Sequence, residues 1–263
     1  MSSNVVRVFV VGGAISYRAL FTWVRPLSYA TSMLGIPVTQ LLFFAYLGRF
    51  TGLRDDEFYV VGNAVQATAM GGVFAMTMTV GNERQFGTLG PLLASPANRA
   101  ALFLGRSLPV VLNAMFVSAV VFMAGLLLLD FSLPARQIPA LVLVVVVTAS
   151  ATTGLGLLLG AIGLRAREVI FAGNLVYFVM LLVCGVNVPL DVLPQWLEWV
   201  GRSLPLTHGL EAARRVVDGA SLTDVGGLLW TEAAIGAAYA AAGFVLFRLL
   251  ELEGRRHAVL DTY

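Results

Sequence analysis

The side chains able to do chemistry are few, and their spacing does not favour it. The two histidines, His208 and His257, stand far apart and lack the HExxH spacing that sets two imidazoles on one helix face around zinc, so no metal site is expected. The single cysteine, Cys184, permits neither an internal disulfide nor a thiolate cluster, and reads as a small buried apolar residue. All 17 basic residues are Arg. Without Lys the chain can build neither a phosphate-binding P-loop nor a Schiff base, so it cannot hydrolyse ATP through a Walker motif. No convincing Ser/His or Asp/Asp pairing stands at span depth, which argues against an intramembrane enzyme. Glu232, near the outer end of the last apolar run, is expected to snorkel toward water.

The elements that carry these residues are set by the solvent. Of 263 residues, 58% are hydrophobic and 12% charged, about half the charged share of an ordinary soluble domain. The apolar runs are continuous over about 20 residues, the length of a helix crossing hydrocarbon, and do not alternate as barrel strands would. The fold class expected is all-α integral membrane, with spans at 27–47, 58–80, 102–129, 138–162, 169–188 and 227–250. One transmembrane domain, 1–263, results: a first segment 1–26, spans in 27–80, a polar segment 81–101, spans in 102–188, an outer segment 189–226, the last span 227–250 and a tail 251–263.

Arg sets the orientation. With the amino end inside, Arg7, Arg18, Arg25, Arg84, Arg99, Arg106, Arg165, Arg167, Arg248, Arg255 and Arg256 lie on the cytoplasmic side, against Arg49, Arg54, Arg136, Arg202, Arg214 and Arg215 outside. The bias favours both termini in the cytoplasm. Ahead of Pro26, Arg7, Arg18 and Arg25 share one side of a helical wheel, with Val5, Phe9, Leu20 and Trp23 opposite. That pattern suits an amphipathic helix lying in the interface.

Between the second and third spans, on the cytoplasmic side, stands NERQFGTLGPLLASP, residues 82–96. Gly87 and Gly90 break the preceding helix, Pro91 can open a short new one, and Ser95-Pro96 closes it. Leu89, Leu92 and Leu93 are then presented on a knob rimmed by Glu83, Arg84 and Arg99. Such a knob fits a socket on another protein, or folds its leucines back onto the membrane surface.

Two helical faces are candidates for handling cargo. In the second span Tyr59, Asn63, Gln66, Met70, Phe74 and Thr77 fall within about 60° of Asn63 on a helical wheel. The fifth span offers Asn174, Tyr177, Phe178 and Leu181 on one side. Amides, Met and aromatics belong against protein or a cavity, so these faces either line a path for amphipathic cargo or hold helices together by hydrogen bonds. Gly156, Gly160 and Gly163 of the fourth span suit close helix packing.

After 188 the chain reads as two short amphipathic helices broken by Pro, either re-entrant or forming an interfacial collar, with Trp196 and Trp199 at headgroup level.

Glu83-Arg84, Gly87-Thr88-Leu89, Leu92-Leu93 and Ser95-Pro96 resemble the ER-x-x-GTL-x-x-L-x-x-SP signature of the permease subunits of type-2 ABC exporters, the daunorubicin-resistance-like group. The stretch VNVPLDVLPQWLEWVGRSLPLTHGLEAAR is similar to the same family's outer segment. Where that family often carries an acidic residue after the GTL leucine, this chain has Gly90 and Pro91.

The resemblance implies that 82–96 is a coupling helix seated in a separate ATP-binding subunit, which holds the ATP and Mg; no cofactor is expected in this chain. It implies a second permease copy or a sister permease, with the path at the interface. It further implies an external cap including Leu193, Pro194, Trp196, Pro205 and Leu206. The function implied is ATP-driven export of a drug-like or lipid-like substrate across a bacterial plasma membrane, as in multidrug efflux and antibiotic resistance; nucleic acid is no partner, and lipids are. An ion-driven secondary transporter would usually show paired broken helices and a membrane-embedded acid, and the centres of the spans hold no such acid. A noncatalytic membrane scaffold is the other alternative.

Overall fold

The computed structural model of the chain describes residues 30–77, 99–163 and 169–257, and all regular structure among them is helical. The α-helices are α1 (Ile36–Thr51), α2 (Asp56–Ala69), α3 (Arg99–Leu128), α4 (Ile138–Gly163), α5 (Val169–Val183), α6 (Gln195–Ser203), α7 (Thr207–Val217) and α8 (Leu222–His257). Among the described residues four stretches are long and apolar enough to cross a bilayer: Thr31–Thr51, Gly105–Leu128, Ala135–Gly163 and Leu222–Leu250. Phe171–Val183 is a shorter apolar helix.

Local chemistry moves several boundaries from their expected places. The first helix runs on past 47 to Thr51, because its stop is Gly52 at φ 65°, whose N–H returns to the Gly48 carbonyl at 2.8 Å. Asp55 caps α2 by accepting from the Phe58 N–H at 3.4 Å, so that helix starts at Asp56 rather than 58. The fifth helix ends at Val183, five residues before the expected 188, and the chain turns at Gly185, φ 83°. The last helix begins early, at Leu222, where the Ser221 N–H and hydroxyl both bond Asp224 at 2.9 and 2.6 Å. It continues to His257, so the tail expected from 251 starts as helix.

Polarity explains which helix sits in the middle. The second helix carries Asn63, Gln66 and Thr68, groups that lipid cannot satisfy, and every residue from Tyr59 to Ala69 is buried. Helices α1, α3, α4 and α7 pack around it. Beyond Ala69 it passes through a π-helical turn, Met70–Phe74.

Small residues let the helices approach. Gly71 faces Ala114 of α3, and Gly156 of α4 backs onto the Gly72 carbonyl and Met76. The largest helix pair, α4 with α8, meets through Gly154 and Gly236, Gly236 and Ala151, and Gly243 and Leu158. The expectation of packing at Gly156, Gly160 and Gly163 agrees with their burial. Away from these seams α8 presents Trp230, Val245 and Leu249, and α1 presents Phe43, Tyr46 and Phe50, surfaces suited to lipid.

One end of the bundle gathers the turns α1–α2 and α3–α4 with the segment α6–α7. Arg49 holds Asp56 through paired hydrogen bonds and reaches Asp130 at 2.8 Å, while the Asp130 N–H donates to Asp56 at 3.1 Å. Gln137 donates to the Val217 carbonyl at 2.9 Å. This is the end that the Arg distribution assigns to the outside, and it is called the outer end below.

Candidate functional site

A buried polar network joins three helices below the outer end. Gln40 of α1 donates to Asn63 Oδ1 at 2.9 Å and accepts from the Tyr177 hydroxyl of α5 at 3.1 Å. Asn63 Nδ2 donates to the Tyr59 carbonyl at 2.9 Å and to Asn187 Oδ1 at 2.8 Å. Gln66 Nε2 makes a longer bond, 3.4 Å, to the Tyr177 carbonyl. Each bond satisfies a group that would otherwise be stranded in apolar surroundings, so the network fixes the mutual positions of α1, α2 and α5.

Above it the outer segment re-enters the protein. Pro194 and Pro205 bound α6 and separate it from α7. The shorter α6 leaves Trp196 and Trp199 about two-thirds exposed, at 65% and 67%. By contrast α7 is inserted: Leu210, Ala212, Ala213 and Val216 are buried, and Gly209 lies so close to Thr148 of α4 that a Cβ there would overlap it. Of the two short helices expected here, α7 is the one packed into the bundle and α6 the more exposed.

Two polar side chains hold α7 in place. Arg214 Nη2 donates to the carbonyls of Gly185 and Val186 at 2.9 and 3.1 Å, just beyond the end of α5. Burial pulls the Arg214 pKa down to about 10, neighbouring Arg54 adds to the fall, and Asp218 opposes it. At the other end of α7, Glu232 of α8 accepts from the Gly209 N–H at 3.0 Å. Glu232 is 0% exposed, which corrects the expectation of a snorkelling residue. Its helix turns that face toward α7, where backbone N–H groups replace water.

The residues expected to form sites are distributed as follows. Glu83, Arg84, Gly87, Thr88, Leu89, Leu92, Leu93, Ser95 and Pro96 lie outside the described residues, as does the expected interfacial helix 1–26. In α2 and its continuation, Asn63 and Gln66 are buried within the network, while Met70 and Phe74 are half-buried. In α5 the expected face is graded: Tyr177 is buried, Leu181 half-buried, and Asn174 and Phe178 exposed. In the outer segment Leu193 is half-buried, Pro194 exposed, and Pro205 and Leu206 buried. Sequence reasoning missed Gln40, Asn187 and the role of Arg214. Gln40 was signalled by its isolation within an apolar run, and Asn187 by being an amide placed just before the outer prolines.

Comparison with known proteins finds a match between residues 13–217 and the family model described as ABC-2 type transporter. The chain is 26% identical over 198 residues to "Probable multidrug ABC transporter permease YbhR" of Escherichia coli strain K12, a match covering 74% of this chain and 53% of that protein. It thus spans about half the length of that relative. It is also 26% identical over 220 residues to "Daunorubicin resistance ABC transporter permease protein DrrB1" of Streptomyces coeruleorubidus, covering 81% of this chain and 77% of the relative.

Proposed function

This chain belongs to the ABC-2 type transporter family, and on that premise we propose that it is the membrane subunit of an ATP-driven exporter. In this reading the chain crosses the plasma membrane six times with both termini inside, and residues 82–96 dock into a separate ATP-binding subunit. A second permease, identical or sister, completes the path. The cargo is amphipathic, drug-like or lipid-like; the drug-like reading draws on the two relatives, one called a multidrug and the other a daunorubicin-resistance permease.

The observation that carries the proposal is the extent of the family match. Residues 13–217 enclose both the leucine-bearing segment 82–96 and the outer segment through the end of α7. These 263 residues contain no Lys, which supports a division of labour in which the P-loop is supplied from outside them. Half-buried Met70 and Phe74, together with exposed Asn174 and Phe178, are the residues proposed to meet cargo or the second permease.

Co-purification is the test. An ATP-binding ABC subunit should co-purify with this chain, and Leu92→Asp or Leu93→Asp should weaken the complex by placing a charge in an apolar socket. ATP hydrolysis should require the partner. Robust hydrolysis by the isolated chain, or normal binding and transport by both Leu variants, would overturn the assignment.

Buried Glu232 favours a second reading, a carrier driven by an ion gradient. The two separate in inside-out vesicles: export that survives ATP depletion and stops with a protonophore selects the carrier.

A further inference from the structure

The first turn of α7 lacks a cap of its own. Its N-cap residue is Leu206, whose side chain has no acceptor, and no side-chain cap bond forms there. A helix start buried in this way strands its first N–H groups, each needing an acceptor that water cannot supply. The acceptor comes from another helix: Glu232 Oε2 takes the Gly209 N–H at 3.0 Å. Among the described residues Glu232 Oε1 has no hydrogen-bond partner, so the attachment is made through one oxygen.

The position of this contact gives it leverage. Trp230, two residues earlier on α8, is 79% exposed on the outward face, whereas Glu232 is 0% exposed. Two residues on, about 200° round the helix, Glu232 faces the protein. Thr207, the first residue of α7, bonds the Gly201 carbonyl of α6 at 2.5 Å, and Cys184, 1% exposed, shares the buried core with Leu206 and Leu210 of the α7 start. The first turn of α7 thus sits between α6, the end of α5 and α8.

We propose that Glu232 is the positioning residue of the outer helix α7: its carboxylate, carried by the last span, replaces the missing cap and holds the α7 start over Cys184. Movement of α8 relative to α4 is then transmitted to α7 through this hydrogen bond together with the packing of α7 on both helices. This deepens the exporter reading and rests on it in one respect, that the outer segment covers the exit of the path.

The sole cysteine makes the test direct. In the purified permease–ATPase complex, maleimide labelling of Cys184 should be slow in the native chain. Glu232→Ala should speed it about tenfold, the factor expected from losing a contact worth one ordinary hydrogen bond. Glu232→Gln, whose amide oxygen still accepts from Gly209, should recover most of the protection. Labelling that is insensitive to mild denaturant identifies local opening of α7 rather than unfolding of the bundle. Native-rate labelling in Glu232→Ala overturns the proposal.

Should the alanine variant fail to assemble, Glu232→Asp decides, because it keeps the charge but withdraws the carboxylate by one methylene. It must label faster than Glu232→Gln; equal rates overturn the proposal. If labelling rises as stated while cargo moved per ATP is unchanged, Glu232 holds α7 and the exit-cover reading is what falls.

Discussion

The Arg214 guanidinium lies 3.8 Å from the Phe58 ring centroid while its Nη2 reaches past the ring to the Gly185 and Val186 carbonyls. One side chain of α7 therefore stacks on the start of α2 and closes the end of α5. A planar, permanently charged fork can do both at once, which an ammonium cannot.

Arg214→Ala should accordingly destabilise the chain by about 3 kcal/mol, the scale for removing a charged donor from buried carbonyls. Arg214→Lys should recover less than half of that. Thermal unfolding in detergent measures both, and Lys performing as well as Arg would show that the stacking on Phe58 adds nothing.

The amide network makes a different prediction for the cargo stripe. Asn63 is fully engaged with Gln40, Tyr59 and Asn187, so Asn63→Leu should cost about 2 kcal/mol by stranding its partners. Half-buried Phe74 has no such bonds to lose. Phe74→Ala should alter cargo-stimulated ATPase activity at near-native stability, and equal loss of stability in the two variants would assign the whole stripe to packing.

The contrast between these two residues shows what was legible in the sequence. Asn63 and Gln66 within an apolar run dictate that their helix avoid lipid, and α2 is indeed enclosed. Their partners were less legible, because Gln40 and Asn187 are brought to Asn63 only by tertiary packing across 23 and 124 positions. Glu232 was misread for a related reason. Its nearness to the end of a span implied water, but its helix face is covered by α7, whose own position depends on the prolines and on Arg214. Spacing along one helix reveals a polar group; it does not reveal which distant backbone will meet it.

The Arg49–Asp56 tie should show in the pH dependence of stability. Hydrogen bonding to Arg49 holds the Asp56 carboxyl below its ordinary value, and burial opposes this without reversing it. A depressed carboxyl contributes stability that is complete above its unfolded value near 3.9 and is lost as pH falls through its lower folded value. Asp56→Asn should therefore lower the unfolding temperature at pH 7, and the difference from the native chain should close as pH falls below about 4. A difference that stays constant from pH 7 to strongly acidic conditions would mean that the carboxylate charge is not what α1 and α2 share.

Glycines of α8 separate close packing from mere tolerance. A Cβ on Gly236 would overlap the Ala151 backbone of α4, whereas Gly226 has nothing within 4 Å of the place a Cβ would take. Both lie inside the same helix, so Ala at either position gains about 0.5–1 kcal/mol in helix propensity. At Gly226 that gain should appear undiminished. At Gly236 it should be outweighed, since α4 and α8 must separate, and overpacking of this kind costs about 1–3 kcal/mol. Gly236→Leu should go further and disrupt the longest seam of the bundle. The measurement is thermal unfolding of Gly226→Ala, Gly236→Ala and Gly236→Leu in the same detergent. Stability that rises at Gly226, falls at Gly236→Ala and falls again at Gly236→Leu is the expected order; equal stability of the two Ala variants would show that α8 has room to move on α4.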